Sequence, residues 1–279
     1  MSSEHSIHQL CAAFGVSRSG YQAWARRAPG LRAQADANLL ALLRQGHEES
    51  RGTYGRPRLL VWLARQGHRC GHSRAWRLLH QAGLSQKRRK KFRPVSLTDS
   101  NHDLPVAPNR LLHQQQPARP NAVWLADITY VETDEGWLYV AGVLDRCTRR
   151  CIGWAMGDSL HTSLPLSALQ MALAHRCPPP GLLHHSDRGV QYASGTYRAV
   201  LSQAGVISSM SRRGNRYDNA TMESFWSTLK RDLIHRTRFA TRAAARAAIF
   251  EWIEVFYNRV RLHSALGYKS PVDFESHLN

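Results

Sequence analysis

Apolar and polar positions along the chain follow two different rhythms. From Ile7 to Leu84 apolar residues recur every three or four positions in short runs, the spacing of one helix face. From Ala122 onward they come in denser, partly alternating runs parted by short polar turns, which is the pattern of strands. The first rhythm predicts a helix-turn-helix over Ile7–Ala25, two helical runs split at Gly15-Val16 with Ser17 capping the second. Leu10, Cys11, Phe14, Val16, Tyr21 and Trp24 are expected to form its small core, leaving Arg18, Ser19 and Gln22 outward on a candidate recognition helix. A helix rich in Ala and Leu is predicted from Ala35 to Gly46. A second bihelical unit follows over Arg56–Leu84, with Pro57 in its first turn, Gly67 as a stop, Ser73 as the next cap and Gly83 as the final stop. Leu59, Leu60, Trp62, Leu63, Ala75, Trp76, Leu78 and Leu79 are expected to face its core.

The second rhythm predicts three successive strands, at 123–133, 136–148 and 149–159, as an antiparallel meander. A helix over Leu164–His175, a strand over Leu182–His185, a helix over Thr196–Gln203 and a strand over Val206–Ser209 come next. The last predicted element is a helix over Asn215–Leu233. Its Met222, Phe225, Trp226, Leu229 and Leu233 cover one face, with Glu223 and Lys230 two turns apart at the margin and Asn219 one turn before Glu223. Three antiparallel strands followed by alternating helices and strands make a mixed α/β sheet, in the order of an RNase H-like fold, behind an all-α region. The expected division is a helix-turn-helix DNA-binding region at 1–86, a basic linker and packing arm at 87–121, and the RNase H-like core with a C-terminal helix at 122–279.

Charge adds a partner. The chain carries a net +18, and residues 1–100 hold 18 Lys and Arg against 5 Asp and Glu, while the remainder holds 20 against 15. So large and uneven an excess suits a polyanion such as DNA. The run Lys87, Arg88, Arg89, Lys90, Lys91 reads as a hinge that touches phosphates without reading sequence. No apolar run approaches the roughly 20 residues that span a bilayer, and the N-terminus lacks the apolar core of a signal peptide, so a cytoplasmic, nucleoid-associated protein is expected. Five scattered cysteines suit free thiols. His68, Cys70 and His72 lack the second half of a zinc site.

The carboxylates carry the chemistry. Asp127 interrupts an apolar strand, where a lone charge costs several kcal/mol unless compensated. Asp187 lies just past the fourth strand, and Glu223 follows on the last helix. Three such acids can converge on a pair of Mg²⁺ ions about 4 Å apart, with Lys230 near the phosphate. Among the competitors, Asp145 is expected in a structural ion pair with Arg146, Arg149 or Arg150. Glu132, Asp134 and Glu135 are expected to be solvated, and Asp158 to cap a turn. Trp124, Tyr130, Trp137 and Tyr139 are expected in the core rather than as base-stacking platforms.

The runs WLADITYVETDEGWLYVAGVLDRCTRRCIGWAM, HHSDRGVQYAS, RRGNRYDNATMESFWSTLKRDL and YNRVRLHSALGYKSP resemble the catalytic OrfB-type protein of the insertion-sequence-three family of bacterial transposases. These are DDE enzymes similar to retroviral integrases. The upstream run RGTYGRPRLLVWLARQGHRCGHSRAWRLLHQAGL resembles the helix-turn-helix segment such proteins carry before the core. The resemblance implies that Asp127, Asp187 and Glu223 are the catalytic, metal-binding triad and that Lys230 is the basic residue after the Glu. It implies a Mg²⁺-dependent nuclease and strand transferase acting on transposon ends and target DNA, with Mn²⁺ able to substitute. It further implies a homo-oligomer in synapsis and a partner, or a fusion, from an upstream reading frame. Two other readings stand beside it: a helix-turn-helix regulator whose core mediates assembly alone, and an RNase H-type nuclease acting on RNA–DNA hybrids.

Overall fold

The computed structural model describes residues 5–84, 102–112, 114–212 and 219–278, which belong to two units, Met1–Arg88 and Arg89–Asn279. In the first, α1 (Ile7–Ala13) starts with a capping box between Ser6 and Gln9, and α2 (Arg18–Ala25) is capped as predicted, Gly20 N–H donating to Ser17 Oγ at 3.0 Å. The core expected for this pair does not form. Cys11 is buried, but Phe14 is 73 % exposed, Trp24 is 69 % exposed, and Val16 and Tyr21 are exposed as well. Two helices this short present too little apolar surface to close over four large side chains.

The next helix, α3 (Leu31–Glu49), starts earlier than predicted, because Gly30 ends the preceding stretch and Gln34 Nε2 ties the first turn back to Pro29 O at 2.8 Å. It packs with α4 (Arg56–Arg65) and α5 (His72–Gln81) around Leu39, Leu43, Leu59, Trp62, Leu63, Ala75, Leu78 and Leu79. Two expectations fail on α5. Gly71, not Ser73, takes the cap position, and Trp76 is exposed. Ala75, Leu78 and Leu79 already define the buried stripe, and Trp76 lies about 100° from its centre.

The second unit holds a five-stranded sheet in which the third, second, first, fourth and fifth strands of the chain lie side by side in that order. The strands β1 (Val123–Thr133), β2 (Gly136–Asp145) and β3 (Cys151–Gly157) form the predicted antiparallel meander, while β4 (Leu183–Ser186) and β5 (Ile207–Met210) add in parallel. The intervening helices are α6 (Ser163–Arg176), the short α7 (Val190–Ala193), which the sequence reading missed, and α8 (Gly195–Gln203). After β5 come α9 (Ala220–Asp232), α10 (Arg242–Glu251), which winds wider as a π-helix over Trp252–Tyr257, and α11 (Pro271–Ser276). Residues 215–218 of the predicted last helix lie outside the described residues.

Trp124, Ala126, Ala141, Val143 and Ile152 point from the sheet into a core shared with Leu164, Ala168, Leu169 and Ala172 of α6 and with Tyr197 and Leu201 of α8. The opposite face receives α9 and α10. One glycine on each face permits the approach. A Cβ at Gly153 would stand 2.2 Å from Ala168 O of α6, and one at Gly142 would stand 3.0 Å from Met222 and from Trp226 of α9. Beyond α10, Asn258 holds both backbone groups of Cys151 with its amide, at 3.0 and 2.9 Å, and Glu275 of α11 pairs with Arg150 at 2.7 Å and with Arg176.

Asp145 departs from the expected ion pair. It is fully buried and accepts from the backbone N–H of Asn121 at 2.6 Å, of Cys147 at 2.9 Å and of Thr148 at 2.9 Å, and from the Thr148 hydroxyl at 3.2 Å. The arginines go elsewhere: Arg150 to Glu275, and Arg146 to the carbonyls of Gln114 and Gln115. A carboxylate surrounded by backbone donors needs no cation to stay in the core. Trp137 is 45 % exposed rather than in the core, with Tyr130 meeting it edge-on at 4.9 Å. Asp158 is exposed and accepts no hydrogen bond from another described residue. Glu132, Asp134 and Glu135 are exposed as expected.

Candidate active site

Asp127 sits in the middle of β1, paired across the ladder with Gly142 of β2. Directly opposed residues share a face of the sheet, so the missing side chain at Gly142 leaves room for Met222 and Trp226 of α9 to settle beside the acid. The start of α9 is fixed to the same strand: Asn219, which is buried, donates from Nδ2 to Ala126 O at 3.3 Å. Its Oδ1 is buried without a hydrogen-bond partner among the described residues, and the buried indole N–H of Trp226 makes no hydrogen bond within 3.5 Å among them but lies near enough to Asp127 to act against the rise of that carboxyl. The helix thereby carries Glu223, in its first turn and exposed, to the edge of the Asp127 face.

Asp187 follows the last residue of β4, and its Oδ1 accepts from Gly189 N–H at 2.9 Å. Arg188 is latched on both sides, its Nε donating to Ser211 O at 2.6 Å while its carbonyl lies 2.7 Å from His102 Nε2. Asp187 therefore stands on a stiff turn. The preceding His184 and His185 are buried and structural: His184 meets the Tyr197 hydroxyl at 3.0 Å, and His185 bridges Ser209 and Ser211. Burial, then the neighbouring His185, pushes His184 down to about 3, so it stays neutral.

The acids feel one another. Burial pushes the Asp127 carboxyl up to about 8, and the charge of Asp187 and then that of Glu223 add to the rise, against the Ile128 N–H, which donates to Asp127 Oδ1 at 2.9 Å. Tyr192 of α7 belongs to the same neighbourhood. Its hydroxyl is buried without a hydrogen-bond partner among the described residues, and its pKa is driven up by burial and then by Tyr197, Asp127 and Asp187. Lys230 is half-buried, with Nζ 4.7 Å from the centre of the Tyr130 ring. Burial lowers its pKa, and the charge of Asp127 opposes that.

Among the described residues no three His, Cys, Asp or Glu side chains close into a set that could hold a metal ion. Asp127, Asp187 and Glu223 share a field without closing into one ligand sphere. The donors are carboxylate oxygens, which suit hard divalent cations such as Mg²⁺ or Mn²⁺. Arg18 is exposed in the first turn of α2. Lys87, Arg88, Arg89, Lys90 and Lys91 lie outside the described residues. The sequence reading did not single out Gly142, Tyr192 or Trp226 as parts of the site; a glycine within an otherwise apolar strand was the available sign for the first.

Comparison with known proteins places this geometry in a family. Two integrase core domain families match residues 117–216 and 204–271, and an HTH-like domain family matches residues 33–92. The chain is 48 % identical over 265 residues to the insertion element IS600 uncharacterized 31 kDa protein of Shigella sonnei, covering 95 % of this chain and 97 % of that one. It is 40 % identical over 275 residues to the transposase InsF for insertion sequence IS3A of Escherichia coli (strain K12), covering 98 % of this chain and 95 % of that one. Among solved structures, one of a simian T-cell lymphotropic virus intasome in complex with the PP2A regulatory subunit B56 gamma aligns at 16 % identity with a TM-score of 0.48, covering 84 % of this chain and 74 % of that one. Near-complete coverage at these identities, on a helix-turn-helix region followed by an integrase core, makes the chain a member of the insertion-sequence-three (IS3) family of DDE transposases, enzymes of DNA transposition and integration.

Proposed function

We propose that Asp127, Asp187 and Glu223 are the catalytic acids of this transposase and that together they hold two divalent metal ions, Mg²⁺ with Mn²⁺ as a substitute. The observation that carries the reading is the placement of three acids on β1, directly after β4 and in the first turn of α9, close enough for the charges of Asp187 and Glu223 to raise the Asp127 carboxyl. A folded protein keeps such a cluster where a cation relieves it. When bound, the ions supply Lewis-acid activation of the attacking oxygen and neutralise charge at the scissile phosphate.

The chain's own residues do the positioning. The β1 ladder and the α9 helix immobilise Asp127, the Gly189 N–H orients Asp187, and the Asn219 anchor sets where α9 presents Glu223. An oxygen of water or of a DNA 3′-hydroxyl attacks phosphorus in line and gives up its proton, the phosphorus bond to the leaving 3′-oxygen breaks, and that oxygen takes up a proton, so none is gained or lost overall. No bond to the protein forms at any stage. Lys230 leaves the Tyr130 ring to meet a phosphate of the element end, while Arg18 and the run Lys87–Lys91 contact the DNA backbone.

Region 1–86 grips DNA, 87–121 tethers it, and 122–279 performs the chemistry. Element ends and target DNA are the substrates, copies of the chain pair them in synapsis in the bacterial cytoplasm at the nucleoid, and an upstream-frame protein is a candidate partner. A nicking and strand-transfer assay on labelled element ends with Mg²⁺ tests the acids. Glu223→Gln is expected to abolish both products, and retained strand transfer would refute the assignment. Lys230→Ala is expected to weaken end binding while calorimetric metal binding stays intact; equal loss of both would remove its DNA role.

A further inference from the structure

The face of α5 that turns away from the core carries His72, Ser73, Trp76 and His80, all exposed. His72, Trp76 and His80 are four residues apart in succession and form one stripe along the helix. Trp76 is 55 % exposed and stacks flat on His80, with ring centroids 5.3 Å apart and planes 6° apart. Two ring systems with N–H edges are therefore held in register on the outside of the protein.

The arginines of the same helix point elsewhere. Arg74 and Arg77 both bind Asp36 of α3, at 2.6 and 2.5 Å, and so brace α5 against its neighbour. Their charge is engaged inside the unit, yet the unit as a whole remains strongly positive. Residues 31–84 contain nine arginines and no lysine against three acids. Of the acids, Asp36 is paired with Arg74 and Arg77, and Glu49 accepts the Trp62 indole N–H at 2.9 Å. Arg65 and Arg69, in and after the end of α4, are exposed on the approach to α5. An apolar protein partner would not explain this charge, whereas duplex DNA does. In helix-turn-helix proteins the second helix of the pair enters the major groove and its side chains meet base edges.

We propose that α5 reads the terminal repeat of the element in the major groove through Ser73, Trp76 and His80, and that Arg74 and Arg77 hold the helix in place without reading any base. The Trp76 ring offers an apolar surface to a thymine methyl group, and Ser73 and His80 offer hydrogen bonds to base edges. This rests on the chain being a DNA transposase and is independent of the assignment of its acids.

The test uses the full chain in metal-free buffer with a randomised DNA duplex library, sequencing the bound fraction. The unsubstituted chain is expected to select a preferred sequence. Trp76→Ala is expected to lower the preference at the contacted bases by about tenfold, to change binding to unselected duplex by less than about twofold, and to leave the melting temperature unchanged. Trp76→Phe is expected to keep part of the preference, and His80→Ala to relax a neighbouring position. Arg74→Ala is expected to lower the melting temperature with the preferred sequence intact, and Glu223→Gln, which tests the acids, to leave that sequence unchanged.

The proposal falls if the chain selects no sequence, or if the preference survives both Trp76→Ala and His80→Ala. It also falls if Arg74→Ala rewrites the preference at an unchanged melting temperature. Loss of self-association in Trp76→Ala with the preference intact would give the face to a second copy of the chain and overturn it as well.

Discussion

The β1–β2 ladder holds two acids three residue pairs apart, and it holds them for opposite reasons. Asp145, across from Trp124, is fully buried and accepts four hydrogen bonds from Asn121, Cys147 and Thr148. Asp127, across from Gly142, is half-buried, accepts one backbone hydrogen bond from Ile128, and faces two further carboxylates. The fold resolves the first charge with its own donors and leaves the second in tension. Burial raises both carboxyls, but at Asp145 the backbone donors and Arg176 work against the rise, while at Asp127 neighbouring acids add to it. Depth of burial therefore does not mark a reactive acid; an unrelieved neighbourhood does.

The largest expected effect separates the two directly. Asp127→Asn should reduce strand transfer by about a thousandfold or more, because a ligand and an orienting charge vanish together. Its fold should survive, since the amide keeps an acceptor for the Ile128 N–H. Asp145→Ala should do the reverse. Three buried N–H groups would lose their acceptor, at a cost of about 3–5 kcal/mol. Specific activity per folded molecule should stay within about threefold of the unsubstituted chain, and its melting temperature should fall by at least about 6 °C. Thermal melts beside strand-transfer rates distinguish these outcomes, and a catalytic loss in Asp145→Ala at full folding would erase the comparison.

A middling effect is expected at Gly142, which lies across from Asp127. A methyl there would press on Met222 and Trp226, each 3.0 Å from it, and push α9 away from β1. Gly142→Ala should cost about 1–3 kcal/mol of stability and lower strand transfer about tenfold by displacing Glu223. The contrasting Gly153→Ala strikes Ala168 O of α6 on the other face, so it should destabilise without moving the acids. If both variants lost activity in proportion to stability, α9 placement would not be the cause.

Much of this architecture was legible in the sequence, because strand alternation and turn residues act locally. The meander, the two further strands that alternate with helices and the positions of Asp127 and Asp187 at or after strands all follow from period and punctuation. What was not legible depends on partners distant in sequence. Whether Asp145 would meet arginines or backbone donors turns on the left-handed residue Asn121, 24 positions away, whose N–H reaches the acid. Trp76 was misplaced because an aromatic at helical spacing looks like core, while its angle to Ala75, Leu78 and Leu79 decides otherwise. The exposed Phe14 and Trp24 show the same limit: periodicity says which side chains could share a face, and the area on offer says whether that face closes.

The smallest effect is a pH dependence, and it sharpens the comparison where activity cannot. In the unfolded chain Asp127 titrates near its ordinary value of 3.8, and in the folded, metal-free protein it is held up to about 8. Between those values the folded state keeps a proton that the unfolded state has released, so this group makes stability fall as pH rises from about 4 to about 8, after which its slope vanishes. Solvent at the half-buried site reduces the amplitude, and a loss of a few degrees in melting temperature is the expected scale. Asp127→Asn removes the titration, so at pH 8 without metal it should melt higher than the unsubstituted chain while being catalytically dead. Added Mg²⁺ should close that gap by stabilising the chain that can bind it and leaving Asp127→Asn almost unmoved. An Asp127→Asn protein that melts lower at pH 8 would mean that the acid is relieved within the fold, as Asp145 is, and that the tension assigned to it does not exist.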